Sequence, residues 1–252
     1  MRDLDKYTAD YNTANFEDYQ IEYRKRKILE IIDEYKPQRI LEIGCGMDSL
    51  FNHVNAEEFD LFTVVEPSSV FYNNALAMSK KVNMNIKCIN AYFQYEKEYY
   101  DDSYDMIICA SLLHEIENAE EFLKDIHNIS REHTIIHINV PNADSMHREL
   151  AKCMGIISSN TQLTERNIQF QQSRVFNILT LTELLRKTWG GVEIIDSGTF
   201  FIKPFTHSQM YELMKNKIID ENVLDGLYKL SSMPEYKNLG SELYCNIRRT
   251  KE

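Results

Sequence analysis

The chain has 252 residues, 43% of them hydrophobic and 27% charged, an ordinary balance for a globular protein able to build a core. Lys and Arg number 28 against 39 Asp and Glu, and the formal charge of −11 disfavours a nucleic-acid polyanion as the main partner. No apolar run approaches the roughly 18 residues of a membrane span, and the opening MRDLDKYTAD lacks the apolar stretch of a secretory signal, so a cytoplasmic location is expected.

Apolar side chains at Ile21, Ile28, Leu29, Ile31 and Ile32, with Lys and Arg between them, predict a first helix from about Phe16 to Tyr35, closed by Pro37. Arg39–Ile43 (RILEI) reads as a strand, Ser49–Asn55 as a short helix, Leu61–Val65 as a strand and Ser68–Lys80 as a helix capped by Ser68. Asn85–Ile89 is a weaker strand and Tyr104–Cys109 a strong one. Helix Asn118–Ile129 and strand Thr134–Val140 follow. Near-continuous apolar strands alternating with helices predict a parallel sheet covered on both faces.

After Pro141 the alternation breaks. Residues 143–178 form a helical stretch of mixed polarity that reads as an insertion. Thr180–Trp189 is a helix with Thr180 near its N-cap, stopped by Gly190-Gly191. Val192–Ile195 and Leu243–Ile247 are two further strands, and Ser208–Leu230 between them is helical by the spacing of Met210, Leu213, Met214, Val223, Leu224 and Leu227. The expected fold is α/β: Rossmann-like and doubly wound, with a mostly parallel seven-stranded sheet and helical insertions. Residues 1–36 would be an N-terminal helical cap, 37–142 the cofactor-binding core, 143–178 a helical insertion, and 179–252 the rest of the core with a second insertion at about 201–240. Both insertions are expected to form a lobe over the crevice and to govern the choice of substrate.

Three segments carry chemistry. The run Ile40-Leu41-Glu42-Ile43-Gly44-Cys45-Gly46 is a buried strand ending in two glycines, where a ligand can approach the backbone closely or where there is simply a turn. Met47-Asp48-Ser49 follows without a third glycine, which departs from the G-x-G-x-x-G dinucleotide fingerprint. Val64-Val65-Glu66-Pro67 places an acid at the end of the second strand, where it can accept hydrogen bonds from both hydroxyls of a ribose. Cys109-Ala110-Ser111-Leu112-Leu113-His114-Glu115 leaves the fourth strand at the same edge of the sheet. His114 is there either as a general base or as a residue packed against the next helix. The five cysteines (Cys45, Cys88, Cys109, Cys153, Cys245) are odd in number and form no CxxC pair, so neither a disulfide framework nor a zinc or other metal site is expected.

LEIGCG, the acid in VVEP and DMIICASLLHEIEN, in this order, resemble a class I S-adenosylmethionine-dependent methyltransferase over residues 37–142. The resemblance implies S-adenosylmethionine as cofactor. Glu42, Gly44, Cys45 and Gly46 would line its methionyl end, Glu66 and Pro67 its ribose, and Asn90, Ala91 and Tyr92 its adenine. Ala110, Ser111 and His114 would run beside the sulfonium. An Asp often stands in that family where this chain has Asn90. Downstream, VPNADSxHR, LTERNIQ and RVF resemble methyltransferases of cell-surface polysaccharide biosynthesis. That likeness implies O-methylation of a sugar or phosphate-containing precursor of a capsule or surface polysaccharide, with Asn142, His147, Arg148 and Arg174 as substrate-binding positions.

A hydroxyl acceptor wants a nearby base, and the candidates are His114 and His147. His137 lies mid-strand and reads as a core residue, whereas His53, His127, His133 and His207 carry no signal. Among the N-terminal tyrosines Tyr7, Tyr11, Tyr19 and Tyr23, Tyr11 and Tyr19 are the candidates to close over the sulfonium; packing of the first helix is the alternative. Arg148, Arg166 and Arg174 either grip a phosphate or carboxylate or are salt-bridged at the surface. A nicotinamide-dependent oxidoreductase is disfavoured by the missing glycine, and a base-modifying nucleic-acid methyltransferase by Ala110-Ser111-Leu112-Leu113 where Asn/Asp-Pro-Pro-aromatic is expected. A non-catalytic cofactor-binding scaffold and a symmetric homodimer both stay open.

Overall fold

A computed structural model describes residues 16–94 and 103–250. Strand β1 (Arg39–Ile43) runs parallel to β2 (Leu61–Val65) on one side and to β4 (Met106–Ala110) on the other. Beyond these, β3 (Ile86–Ile89) pairs with β2 and β5 (Ile135–Pro141) with β4, both parallel. The last strand, β7 (Gly240–Arg249), inserts antiparallel between β5 and the edge strand β6 (Val192–Ile202), giving the order β3-β2-β1-β4-β5-β7-β6. The sheet is therefore mixed rather than parallel throughout. The strand order reverses direction beside β1, and the carboxyl ends of β1 and β4 open a crevice there.

Both faces of the sheet are covered, which explains its apolar strands. Ile40 and Leu41 alternate between two cores. Leu41, Ile107 and Cys109 pack beneath α3 (Ala119–Ile129) and α6 (Ile178–Trp189). Ile40, Phe62 and Ile108 pack beneath α1 (Glu17–Tyr35) and α8 (Glu221–Leu230). The remaining helices are α2 (Ser69–Ser79), α4 (Met146–Cys153), α5 (Glu165–Gln169) and α7 (His207–Lys215). Among the described residues no helix is long and apolar enough to cross a membrane.

Boundaries depart from the sequence expectations for local reasons. In place of a helix over Ser49–Asn55 there are two 3-10 turns, Leu50–His53 and Ala56–Glu58. Helix α6 begins at Ile178, because Asn177 is the cap and Thr180 its reciprocal partner in a capping box. The stretch Ser208–Leu230 is two helices, since the Asp220 side chain accepts from Val223 N at 3.2 Å and starts α8 afresh. Strand β6 runs to Ile202 rather than ending at Ile195. The polar Asp196, Ser197 and Thr199 suit a partly exposed edge strand.

Candidate active site

At the carboxyl edge of the sheet lies a cleft of about 1120 Å³, reached by residues from the β1, β2 and β4 ends, α1, the 143–178 segment and the start of α7. Its volume lies just above the roughly 300–1,000 Å³ of small-molecule pockets.

One end is built from β1 and β2. Gly44 and Gly46 have φ of +77° and +57°, left-handed conformations that glycine adopts without strain. Gly44 N donates to Val65 O at 2.8 Å, tying the turn to β2. Glu66 is buried, and its carboxylate accepts from Ser68 N at 2.8 Å and Gly46 N at 3.3 Å. Burial raises its pKa while those backbone donors oppose the shift. An ionised carboxylate offers about four lone-pair positions, so Glu66 keeps capacity for further donors on the cleft side. Glu42 is also buried; its carboxylate accepts from Ser49 Oγ and from Leu50 N at 3.3 Å. Burial pushes its pKa up to about 8, with the hydrogen bonds only partly offsetting it. Both carboxyls, the two glycines and Cys45 face the cleft, a donor and acceptor set that fits an adenosine diol and a methionyl ammonium.

The β4 end supplies Ala110, Ser111 and His114, all lining the cleft. Ser111 has φ +53°, a left-handed conformation that costs a non-glycine residue of the order of 1 kcal/mol or more and is held here by Ser111 N donating to Asn139 O at 2.8 Å. His114 is buried in the 3-10 turn Leu113–Glu115. Its backbone carbonyl accepts from Ser173 N at 3.0 Å, which fastens the 143–178 segment to the cleft wall.

The opposite end is a buried polar cluster. Lys203, 1% exposed, donates from Nζ to His207 Nδ1 at 2.8 Å and to Gln20 Oε1 at 3.2 Å. Burial lowers its pKa to about 7, although Glu17 favours the charged form. His207 Nε2 lies 3.2 Å from Glu17 Oε2, which also meets Arg166 at 3.8 Å. Burial alone would raise the Glu17 pKa, but His207 and Arg24 hold it well below the usual carboxylate range. Beneath them Glu242, wholly buried on β7, accepts from Arg24 Nη2 at 2.8 Å, from Gln20 Nε2 and from Asn139 Nδ2 at 3.1 Å. Phe201, two residues before Lys203, has φ +56° and is clamped by its ring stacked 4.4 Å from Tyr23 and by hydrogen bonds with Ser231 and Ser241.

Of the positions expected from sequence, Glu42, Gly44, Cys45, Gly46, Glu66, Pro67, Ala110, Ser111, His114, Asn142, His147, Arg148 and Arg174 all line this cleft. Several do other work than expected. The Asn142 side chain donates to Asn238 O at 3.0 Å and Gly240 O at 2.8 Å and accepts from Asp144 N at 3.0 Å, so it joins β5 to β7. Arg148 donates to the carbonyls of Asn160 (2.7 Å) and Gln162 (2.5 Å), folding the 143–178 segment onto itself. Asn90 bends back to the carbonyls of Glu66 and Pro67 at 2.9 and 3.3 Å, and Asn90, Ala91 and Tyr92 lie outside the cleft lining. Tyr19 packs on Phe16 with centroids 5.3 Å apart, and it too is not part of the lining. Tyr7 and Tyr11 fall outside the described residues. Of the second insertion only Lys203 and the start of α7 reach the cleft; α8 packs against α1 and the sheet, where Tyr228 meets Tyr23 and Phe200.

The sequence reading missed Glu17, Gln20, Arg24, Lys203 and Glu242, and it gave His207 no role. A signal existed: Glu17, Gln20 and Arg24 fall at i, i+3 and i+7 on one helix face, and Lys203 ends the apolar run Phe200-Phe201-Ile202. His137 is a core residue, with Nδ1 2.8 Å from Asn246 Oδ1 and burial lowering its pKa to about 4.

A family model described as "Methyltransferase domain" matches residues 17–188. Among curated proteins the chain is similar to the ubiquinone biosynthesis O-methyltransferase of Rickettsia bellii, 22% identical over 107 residues, which is 42% of this chain and 43% of that protein. The match thus spans less than half the length of that relative. Among solved structures the chain is similar to the plantazolicin methyltransferase BamL, crystallised with a triazolic desmethylPZN analog and SAH, at TM-score 0.63 and 15% identity over 96% of this chain and 91% of that one. It is also similar to the 1,6-didemethyltoxoflavin-N1-methyltransferase of Burkholderia thailandensis, at TM-score 0.58 and 14% identity over 98% and 89% of the two chains. These two likenesses concern the fold.

Proposed function

This chain belongs to the methyltransferase domain family, and on that premise we propose that it transfers the methyl group of S-adenosylmethionine to a small-molecule acceptor. One observation carries the reading. A single cleft joins the glycine turn, Glu42 and Glu66 at one end to the buried Lys203 and the partly buried His147 and His207 at the other, with His114 between them.

When bound, the cofactor supplies a methyl already activated by its positive sulfonium, and the protein's task is alignment and proton removal. Glu66 takes the ribose diol with the lone pairs that Ser68 and Gly46 leave open, and Glu42 faces the methionyl ammonium. Ser111 and His114 form the wall beside the sulfur, where His114 takes the acceptor proton. Alignment of donor and acceptor is worth about 7–11 kcal/mol of barrier. Residues 37–142 act as the cofactor-binding core and 143–178 as the segment that selects the acceptor. The narrower reading, a hydroxyl on a sugar or phosphate-bearing precursor of a surface polysaccharide, draws only on likeness over 140–176. Two of its four residues, Asn142 and Arg148, direct two side-chain donors each to backbone carbonyls inside the fold.

Calorimetry with S-adenosylhomocysteine tests the reading, followed by turnover assays on small hydroxyl and amine acceptors. Saturable binding of that product is expected; preference for NAD over it would sink the reading.

A further inference from the structure

The polar end of the cleft carries more positive than negative charge, and this in a chain whose net charge is −11. Arg24 is paired with Glu242 at 2.8 Å, and Arg166 with Glu17 at 3.8 Å. Lys203 and Arg148 are buried as well, and among the described residues neither has a carboxylate within ion-pair distance. Their partners are the neutral acceptors Gln20, His207 and two backbone carbonyls. His147 lines the same space, and its Nδ1 is buried with no hydrogen-bond partner among the described residues. Burial, Lys203, His207 and Arg148 hold that imidazole well below its usual range. Glu17 and Glu242 act on Lys203 only from beyond ion-pair distance; a buried cation without a counter-charge in contact is costly, and an orphaned buried polar atom adds the cost of a missing hydrogen bond. One negatively charged group placed among these side chains would remove both costs.

We propose that this end of the cleft is an oxyanion seat, in which Lys203, His147 and Arg166 hold a carboxylate or phosphate group of the methyl acceptor. The inference rests on the methyltransferase reading for what the seated molecule is, and on the charge arrangement alone for the seat itself. Lys203 supplies the N–H left after its bonds to Gln20 and His207, and His147 supplies its unpartnered nitrogen. Arg166, half-exposed over the Phe170 ring at 4.7 Å, supplies the guanidinium at the entrance. The acceptor is thereby anchored at the far end from Glu66, with its reacting atom turned back toward the β4 loop. The seat differs from the arginine handle expected at Arg148 and Arg174, because Arg148 is committed to Asn160 and Gln162.

The test uses inorganic phosphate as the probe and the intact protein, with and without saturating S-adenosylhomocysteine. Imidazole resonances of the seven histidines are followed by NMR, with His147→Asn identifying the His147 signal. Phosphate is expected to shift that signal saturably. Arg166→Gln, which removes a half-exposed group and leaves the fold intact by its melting curve, should weaken phosphate about tenfold or more, and Lys203→Gln likewise. Arg174→Gln should leave phosphate affinity unchanged. No saturable shift, or weakening by Arg174→Gln in place of Arg166→Gln, overturns the seat. Phosphate binding in a protein that ignores S-adenosylhomocysteine would keep the seat and defeat the methyltransferase reading; the reverse pattern would do the opposite.

Discussion

His207 Nδ1 lies 2.8 Å from the Nζ of Lys203. The lysine is the donor there, so Nδ1 accepts and the ring hydrogen sits on Nε2, which gives it to Glu17. The imidazole is neutral, and burial together with the Lys203 charge lowers its pKa to about 4. The unfolded chain takes up this proton near the ordinary value of about 6.5. The His207 contribution to stability is therefore complete above that value and is lost as pH falls toward 4. Urea denaturation should show wild type losing about 1–2 kcal/mol more than His207→Gln between pH 7 and 5, since glutamine keeps both hydrogen bonds without titrating. Parallel pH profiles would remove His207 as the sensitive group.

Glu66→Ala should weaken S-adenosylhomocysteine by about 1–3 kcal/mol, through loss of charge-assisted hydrogen bonds. Calorimetry at constant salt is the measurement. Unchanged affinity would take Glu66 out of the ribose role.

Glu42 is largely protonated at neutral pH, because burial raises its pKa to about 8. A cationic methionyl ammonium beside it favours the carboxylate, so binding at pH 7 should expel a proton from wild type. Calorimetry in buffers of different ionisation enthalpy counts that proton; Glu42→Gln should release none. Equal release by both proteins would place the ammonium elsewhere.

If a histidine takes the acceptor proton, His114→Asn should lower turnover by about 10²–10⁴-fold and leave cofactor affinity nearly unchanged, whereas His147→Asn should act through acceptor affinity. Rates on the true acceptor and binding of S-adenosylhomocysteine are measured for each variant. A turnover loss below about tenfold in His114→Asn would assign catalysis to alignment alone.

Asn142→Ala should act on stability rather than on the substrate. Its amide makes three hydrogen bonds that join β5 to the start of β7, and their loss should cost about 2–3 kcal/mol in urea denaturation. A variant that melts like wild type but loses acceptor affinity would restore the substrate-binding assignment.

The glycine turn and its two acids were legible in sequence because they are local. Glu42, Gly44 and Gly46 sit in one strand and its turn, and Glu66 ends a strand so apolar that its borders could be read to the residue. Strand β7 could not be placed by the same means. Alternation of strands and helices predicts parallel neighbours, whereas an antiparallel strand entering between β5 and β6 is decided by tertiary packing. The polar cluster was hidden for a related reason. Glu17, Lys203 and Glu242 each look like surface charges in their own segments, and only the fold makes them neighbours. Arg148 misled in the opposite direction, since an arginine that holds backbone carbonyls and one that holds a phosphate have the same sequence signature.

The place of β7 has a consequence for how the protein is made. Every strand from β1 to β5 lies in one continuous stretch, and the cofactor edge can pair as it leaves the ribosome. The outer edge of β5 cannot: its antiparallel partner arrives roughly a hundred residues later, some 5–20 s at about 5–20 residues per second. During that interval a long apolar strand edge stands open to other chains. Arg24 meanwhile waits for Glu242, 218 residues downstream. The nascent chain thus passes through a stage in which five strands can pair but the β5 edge is not yet shielded, and fast translation would shorten its exposure to aggregation.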